Sequence, residues 1–389
     1  MKPVPYYVFA LAMAVPAVLI GVGIPSWLTF HHQTLAFHSD LRVFYTPGYM
    51  LRKGQRKDIY DFAAIRRNQD ERVAPDDGAA PYLHPAYEAI VFVPLSFLPY
   101  RAAYVAWAGV NFAILGLIFL LLRPFLSDLS AIGPKWMVPV LLLGFMPIAF
   151  TIVEGQDSLF LLLILTLVYR RILSNEVQAG LLLSLGMFRF QVLFPIIALF
   201  LVWRGLKFVA GWVAGSALVL GISATITGLA AQIQYVRVLR AMGNVSFWLL
   251  LRRMPNLRAL FAACGLGIVP LALISLGIFL VAAVIGIRQN AQQRLCLAIC
   301  VSAVVPYYLF FHDLSILALP VFLALNQSVA RRDWLRAAMA AVVISAFAVF
   351  WFTQGKLYLG VLFSLAFFGA QVTGMLKQGK DISVVSGQN

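Results

Sequence analysis

The chain has 389 residues, of which 62% are hydrophobic and only 12% are charged. Soluble domains are roughly 45–50% apolar and about 25% charged, so this composition excludes a soluble multidomain protein and a disordered chain. Lys and Arg outnumber Asp and Glu by 30 to 15, which gives a formal net charge of +15. In a membrane protein this excess indicates anionic lipid headgroups or phosphorylated lipids as partners, rather than nucleic acid.

A transmembrane helix needs about 20 apolar residues, and the hydropathy pattern predicts an all-α integral membrane bundle of about twelve spans. The predicted spans are 5–24, 101–122, 136–153, 157–169, 178–188, 190–203, 208–228, 262–287, 293–311, 314–326, 335–353 and 357–376. Four are too short to cross the bilayer alone, namely 157–169, 178–188, 190–203 and 314–326. We interpret these four as broken or re-entrant helices beside a cavity, because non-helical backbone at membrane depth needs protein or water around it.

Basic residues in the short loops predict the orientation. The first span follows Lys2 and lacks a cleavage site, so we expect a retained anchor with its N-terminus in the cytoplasm. Every predicted inner turn then carries at least two basic residues, and both termini are cytoplasmic. The sequence predicts one transmembrane domain over 1–389, with two long extracytoplasmic loops at 25–100 and 229–261 and a cytoplasmic tail at 377–389.

The first long loop is predicted to carry amphipathic helices. One should begin near Ser39 or Asp40, stop at Gly54 and lie along the membrane surface. Residues 66–81 are predicted to form a mobile connection. The stretch 82–99, rich in aromatic residues and proline, is predicted to return the chain to the bilayer.

Ionisable residues are costly near a bilayer, and here they gather at the outer ends of predicted spans. They are Asp40, Glu154, Asp157, Arg189, His312 and Asp313. A transporter more often carries such groups near the midplane, whereas an enzyme of the outer leaflet needs them where these residues lie.

Each of these residues also has a simpler interpretation. The acids are common helix caps, and Arg189 fits a structural ion pair with Glu154 or Asp313. His312 beside Asp313 supplies too few ligands for a metal site. Their occurrence together on one predicted face favours a functional site.

The second long loop is strongly basic and contains no acid between its arginines. Those arginines are Arg237, Arg240, Arg252, Arg253 and Arg258, interleaved with apolar residues around Trp248. Guanidinium groups suit bidentate phosphate recognition. A surface facing lipid headgroups is the alternative interpretation.

At these positions the sequence resembles glycosyltransferase family 87, the polyprenyl-phosphate-sugar-dependent transferases of the GT-C fold. The matching pieces are 40–54 with Ile59-Tyr60-Asp61, 82–99, 154–157, 179–181 leading to Arg189, and 306–320. They follow one another in order over most of the chain. Two positions depart from the family pattern: the family usually has Lys where this chain has Arg189, and a small polar residue where it has Asp157.

The resemblance implies a set of site residues. Asp40 matches the general base, which implies direct displacement with inversion at the anomeric carbon. From their positive charge, and not from the resemblance, we expect Arg189 to bind the donor phosphate with help from Arg252, Arg253 and Arg258. Residues expected to bind or orient the sugar or the acceptor are Tyr45, Glu154, Gln156, Asp157, His312 and Asp313. No metal and no cofactor are expected.

The sequence therefore predicts a glycosyltransferase of the inner or plasma membrane with its active site on the extracytoplasmic face. It would transfer a hexose, mannose being the sugar the resemblance favours, from polyprenyl phosphate to a lipid or glycan acceptor. A transporter or flippase of lipid-linked saccharides and a non-catalytic partner in envelope biogenesis are the alternatives. We find neither midplane charges nor related halves, which a transporter predicts.

Overall fold

Residues 39–75, 79–243, 251–349 and 356–386 are described by a computed structural model of the chain. Within these ranges the regular structure is helical throughout, without a β-strand. The prediction of an all-helical, polytopic membrane protein is confirmed. The predicted first span, 5–24, lies outside the described residues.

Three helices form the first long loop: α1 (Leu41–Arg52), α2 (Phe62–Arg72) and α3 (Ala86–Phe92). The other α-helices follow in chain order. They are α4 (Tyr100–Leu122), α5 (Ser127–Ala131), α6 (Met137–Gly144), α7 (Met146–Glu154), α8 (Ser158–Arg171), α9 (Glu176–Ser184), α10 (Phe190–Val202), α11 (Leu206–Thr227), α12 (Leu229–Gly243), α13 (Leu257–Ala263), α14 (Ile268–Gly286), α15 (Ala291–Ser302), α16 (Ala318–Ala330), α17 (Trp334–Val349) and α18 (Gly360–Ser386).

The described chain contains five helical stretches that are long and apolar enough to cross a membrane. They are Tyr100–Phe125, Leu206–Thr227, Ile268–Gly286, Phe311–Ala330 and Leu357–Leu376. The number rises to seven if each of two bent helix pairs counts as one span. The predicted number of twelve is therefore not confirmed.

The hydropathy pattern predicted one of the two bends between helices but not the other. Helix α9 and the segment 187–202 meet at 66°, which agrees with the predicted break around Arg189. Helices α6 and α7 meet at 65°, whereas the sequence predicted one continuous span over 136–153. Phe145 lies between them in an extended conformation. Pro147 follows in the first turn of α7, a position where proline is favoured because it needs no N–H partner.

Two other predicted spans need correction. Helix α15 ends at Ser302 and the chain is not α-helical from 303 to 310, so 293–311 is not one continuous helix. Conversely, the predicted short piece 314–326 belongs to the stretch Phe311–Ala330, in which a 3₁₀ turn, Phe311–Leu317, leads directly into α16. This stretch is long enough to span by itself.

The first long loop has its own apolar core. Phe44 of α1 stacks on Phe92 of α3 with 4.9 Å between ring centroids, and Phe92 contacts Trp107 of α4 at 4.6 Å. These contacts fix α1 against the N-terminal half of α4, a helix long enough to span the membrane. Aromatic pairs of this kind contribute about 0.5–1.5 kcal/mol beyond their buried area.

The predicted mobile connection at 66–81 is partly ordered. Helix α2 begins at the cap residue Asp61, whose side chain accepts a hydrogen bond from the backbone N–H of Ala64 at 2.7 Å. Gln69 then exchanges two hydrogen bonds of 3.0 Å with the backbone of Ala80. The polar composition of this segment did not indicate the helix over its first part or these pairwise bonds.

Helices α9 and α11 approach each other closely through glycines, as small residues allow in membrane helices. A Cβ atom built at Gly180 would collide with the backbone of Phe208, and one built at Gly211 would collide with the carbonyl oxygen of Val177. Because these neighbours are backbone atoms, they cannot move aside cheaply.

We therefore expect Gly211→Ala to destabilise the protein by about 1–3 kcal/mol through overpacking. Gly221→Ala is the matched control on the same helix, since nothing lies within 4 Å of a Cβ atom there. Thermal unfolding in detergent measures both. Equal Tm values for the two variants would contradict the close helix packing.

Candidate active site

The ionisable residues predicted from the sequence come together in space from four distant segments. Asp40 precedes α1, and 154–157 is the turn between α7 and α8. Arg189 lies in the 3₁₀ turn that separates α9 from α10, and 312–313 lies in the 3₁₀ turn before α16. Three of these segments lie at breaks between helices, and Asp40 lies at the start of α1.

Gly155 allows the turn after α7 to contact the first loop. Its φ of +68° lies in the left-handed region, which glycine adopts without steric cost. A Cβ atom there would lie 2.9 Å from Cβ of Leu41. The Trp107 indole N–H donates to the Gly155 carbonyl at 3.0 Å. This close approach brings the start of α1, and with it Asp40, beside the turn.

Gln156 links Asp40 to Arg189. Its amide Nε2 donates to Oδ2 of Asp40 at 2.7 Å, and its Oε1 accepts from Nη2 of Arg189 at 2.8 Å. The side chain is buried. Each end of the amide therefore has a charged partner of the right polarity, and the position of Asp40 depends on that of Arg189.

Arg189 is buried among carboxylates. Its Nη2 also donates to Oδ1 of Asp157, and its Nη1 lies 3.4 Å from Oδ1 of Asp313. Asp313 is fixed in turn, because its Oδ2 accepts from the backbone N–H of Phe310 at 2.8 Å. The ion pair with Asp313, one of the alternatives that the sequence allowed, is thus formed.

Asp40, Glu154 and His312 form what we call the front cluster. One ligand-type atom from each residue lies within 4.8 Å of the others. Asp40 and Glu154 are partly exposed, whereas His312 is buried. Two carboxyl groups at an accessible edge are suited to accept a proton from a bound hydroxyl group.

His84, Glu88 and Asp157 form a second group, which we call the buried cluster. His84 Nδ1 lies 2.7 Å from Oε2 of Glu88 and 3.8 Å from Oδ2 of Asp157. The Tyr82 hydroxyl donates to Glu88 Oε2 at 3.3 Å. His84 and Glu88 were not among the residues predicted from the sequence. The available signal was an ionisable pair four residues apart in a stretch rich in aromatic residues and proline.

Burial controls the protonation of this second group. It lowers the pKa of His84 to about 4, and the nearby positive charge of Arg189 acts in the same direction. Burial also raises the pKa of Glu88. Both shifts favour the neutral forms, as expected for ionisable groups removed from water.

The arginines of the second long loop differ in their contacts. Arg252 and Arg253 are exposed, and Arg253 is close enough to Glu154 for an electrostatic interaction. The Arg258 guanidinium lies 3.5 Å from the centroid of the Tyr307 ring and donates to the carbonyl of that residue at 3.3 Å. Trp248 lies outside the described residues.

Tyr45, also predicted as a site residue, belongs to the core of the first long loop. Its hydroxyl donates to the carbonyl of Leu98 at 2.8 Å, and its ring packs edge-on against Tyr100 at 5.3 Å. Only 3% of the residue is exposed. These contacts stabilise the loop that carries Asp40.

The fold and site define a polytopic helical membrane protein in which buried ion pairs support an accessible pair of carboxylates. A family model described as glycosyltransferase family 87 matches residues 82–311, which is more than half of the chain. The chain belongs to glycosyltransferase family 87 and is a membrane glycosyltransferase, with a sugar donor and an acceptor as its partners. No curated protein and no solved structure matches it. The pair at 312–313 directly follows the matched residues, whereas Asp40 lies about 40 residues before them.

Removing one carboxylate from the buried ion pairs should be costly, because it leaves Arg189 undercompensated. We expect Asp313→Asn to lower Tm in detergent by roughly 5–10 °C. Asp70→Asn is the control: Asp70 lies 3.8 Å from Arg66 in an exposed pair, and such pairs contribute about 0–1 kcal/mol. The ion-pair account would be wrong if Asp313→Asn unfolded at the same temperature as Asp70→Asn.

Proposed function

We propose that this glycosyltransferase transfers a hexose, with mannose as the favoured sugar, from a polyprenyl-phosphate donor to a lipid or glycan acceptor. The reaction takes place on the extracytoplasmic face, with Asp40 as general base and with inversion. The observation that carries this proposal is the setting of Asp40, an accessible carboxylate held by Gln156 at 2.7 Å.

The chemistry requires one base and cations for the leaving group. Asp40 takes the proton from the acceptor hydroxyl while that oxygen bonds to the anomeric carbon. The bond from this carbon to the donor phosphate oxygen breaks, and its electron pair leaves with the phosphate. Since a phosphate is a good leaving group, no general acid has to protonate it.

We assign the departing phosphate to Arg252 and Arg253, with Arg258 beside them. The first two are exposed, and Arg253 faces Glu154 of the front cluster. Cations at this edge neutralise charge as it develops on the leaving oxygen. Arg189 supports the site from behind, because its guanidinium is already engaged by Gln156 and two carboxylates.

The remaining predicted residues divide according to their burial. Glu154 and His312 border Asp40, and we assign them to the hydroxyl groups of the sugar or the acceptor. Asp157 and Asp313 are buried against Arg189, and we assign them to positioning it. Gln156 transmits that position to Asp40.

The proposed membrane orientation rests on charge. Under the positive-inside rule, the basic pairs of the short turns are cytoplasmic, as are both termini. The first long loop, which carries Asp40, is then extracytoplasmic. Long-chain polyprenyl donors suit an active site at the membrane edge, because the lipid chain can remain in the bilayer while its phosphate reaches the arginines.

The test uses the purified full-length protein in liposomes with radiolabelled polyprenyl-phosphate-mannose and an envelope lipid extract. We expect a labelled glycosylated product from the wild type. We expect Asp40→Asn to lower the transfer rate by at least about 100-fold with donor binding retained, because this isosteric change removes the base. Asp58→Asn, at an exposed position of the same loop, should retain full transfer.

Three other outcomes of this experiment would contradict the proposed function. Substantial transfer by Asp40→Asn would remove that residue from its role as the base. Movement of the donor across the bilayer without a new product would indicate a flippase. Donor binding without either would indicate a non-catalytic partner in envelope biogenesis.

A further inference from the structure

The buried cluster brings a nitrogen ligand and two carboxylates to one point. The side chains of His84, Glu88 and Asp157 offer one ligand atom each, and these atoms lie within 4.8 Å of one another. The residues are 7%, 4% and 1% exposed, respectively. They come from the start of α3 and from the turn before α8, which are about 70 residues apart in the sequence and are joined only by packing.

Atoms of this cluster are left without hydrogen-bond partners. Within the described part of the chain, His84 Nδ1, Glu88 Oε1 and Asp157 Oδ2 are buried and make no hydrogen bond of acceptable geometry. A buried polar atom without a partner costs about 1–3 kcal/mol. Glu88 and Asp157 can share a proton, and a ligand that accepts electron pairs from all three atoms would take the place of that proton.

The charges around this centre point to the same kind of ligand. Three buried carboxyl groups, those of Glu88, Asp157 and Asp313, accompany the single guanidinium of Arg189. Burial raises the pKa of Glu88, so an ion bound here would displace a proton from that carboxyl group. A divalent cation would then compensate the carboxylates of Glu88 and Asp157 at a single position.

We propose that His84, Glu88 and Asp157 bind a divalent transition-metal ion of the Zn²⁺ or Mn²⁺ type. One imidazole with two carboxylates suits such ions. Ligands bonded at about 2.0–2.2 Å lie roughly 3.0–3.4 Å from one another around a metal. The separation of 3.8 Å between His84 Nδ1 and Oδ2 of Asp157 is close to this range.

The surroundings orient the proposed ligands. Arg189 holds one oxygen of Asp157, while the other oxygen faces His84. Tyr82 donates to Oε2 of Glu88, while Oε1 is the atom without a partner. Partners of this kind fix metal ligands in their binding geometry. The ion would link α3 of the first long loop to the turn that carries Gln156.

The front cluster is the competing position for an ion. It also offers one nitrogen and two carboxylates within 4.8 Å. Two of its members are partly exposed, however, and Asp40 already accepts a hydrogen bond from Gln156. The buried cluster is therefore favoured, and a pair of isosteric variants distinguishes the two positions.

The first experiment uses the wild-type protein, purified in detergent without chelators and dialysed against metal-free buffer. Elemental analysis should find about one Zn or Mn ion per chain. Removing the ion with a chelator should lower Tm by about 5 °C. Adding Zn²⁺ or Mn²⁺ back should restore Tm, whereas Mg²⁺ should not. This readout is independent of transfer activity, so it separates the metal proposal from the proposed function.

The second experiment compares variants by elemental analysis. Glu88→Gln should lose the ion, whereas Glu71→Gln, at an exposed position of the same loop, and Glu154→Gln, in the front cluster, should both retain it. The proposal is overturned if the wild type holds no metal and its Tm responds to neither the chelator nor added Zn²⁺ or Mn²⁺. It is equally overturned if Glu154→Gln loses the ion while Glu88→Gln retains it. The wild-type response decides the matter should Glu88→Gln fail to fold.

Discussion

The interaction on which the site depends is the buried pairing of Arg189 with Asp157 and Asp313. A guanidinium inside an apolar bundle is costly unless carboxylates surround it, and either partner alone would be destabilising. The three residues come from three breaks between helices. Two of the breaks supply the carboxylates that compensate the guanidinium of the third. The ion pairs and the broken helices thus depend on one another.

The buried pairing of Arg189 also positions the proposed base, Asp40. Gln156 has no freedom to rotate its amide, because one end accepts from Arg189 and the other donates to Asp40. Gly155 provides the left-handed turn that lets α1 approach. The accessible carboxylate is therefore supported by a rigid interior, which is the arrangement that efficient catalytic groups require.

The sequence was most informative about isolated polar residues in apolar surroundings. Asp40, Arg189 and His312 were predicted to share one site because an ionisable side chain is energetically unfavourable in apolar surroundings. The structure brings the three residues together. His84 was missed because it lies in a proline-rich stretch of a loop, where a polar residue is ordinary. Its proximity to Asp157 depends on tertiary packing, which no local pattern reveals.

The fold class was predictable and the number of spans was not. Apolar composition is sufficient to predict a helical membrane bundle. It does not show whether an apolar run continues as one helix, as the bend between α6 and α7 and the early end of α15 demonstrate. Those ends depend on capping, on proline and on partners elsewhere in the chain, so hydropathy alone does not determine the number of spans.

Membership of glycosyltransferase family 87 establishes the class of reaction, while the arrangement around Asp40 supports a particular course for it. In the mechanism we propose, a base acting on the acceptor serves direct displacement, without a covalent glycosyl-enzyme intermediate.

The most direct test is the anomeric configuration of the product, determined by NMR after transfer from a polyprenyl-phosphate hexose of known configuration. The account predicts that the new glycosidic bond has the opposite configuration to that of the donor. A product with the donor's configuration would contradict it.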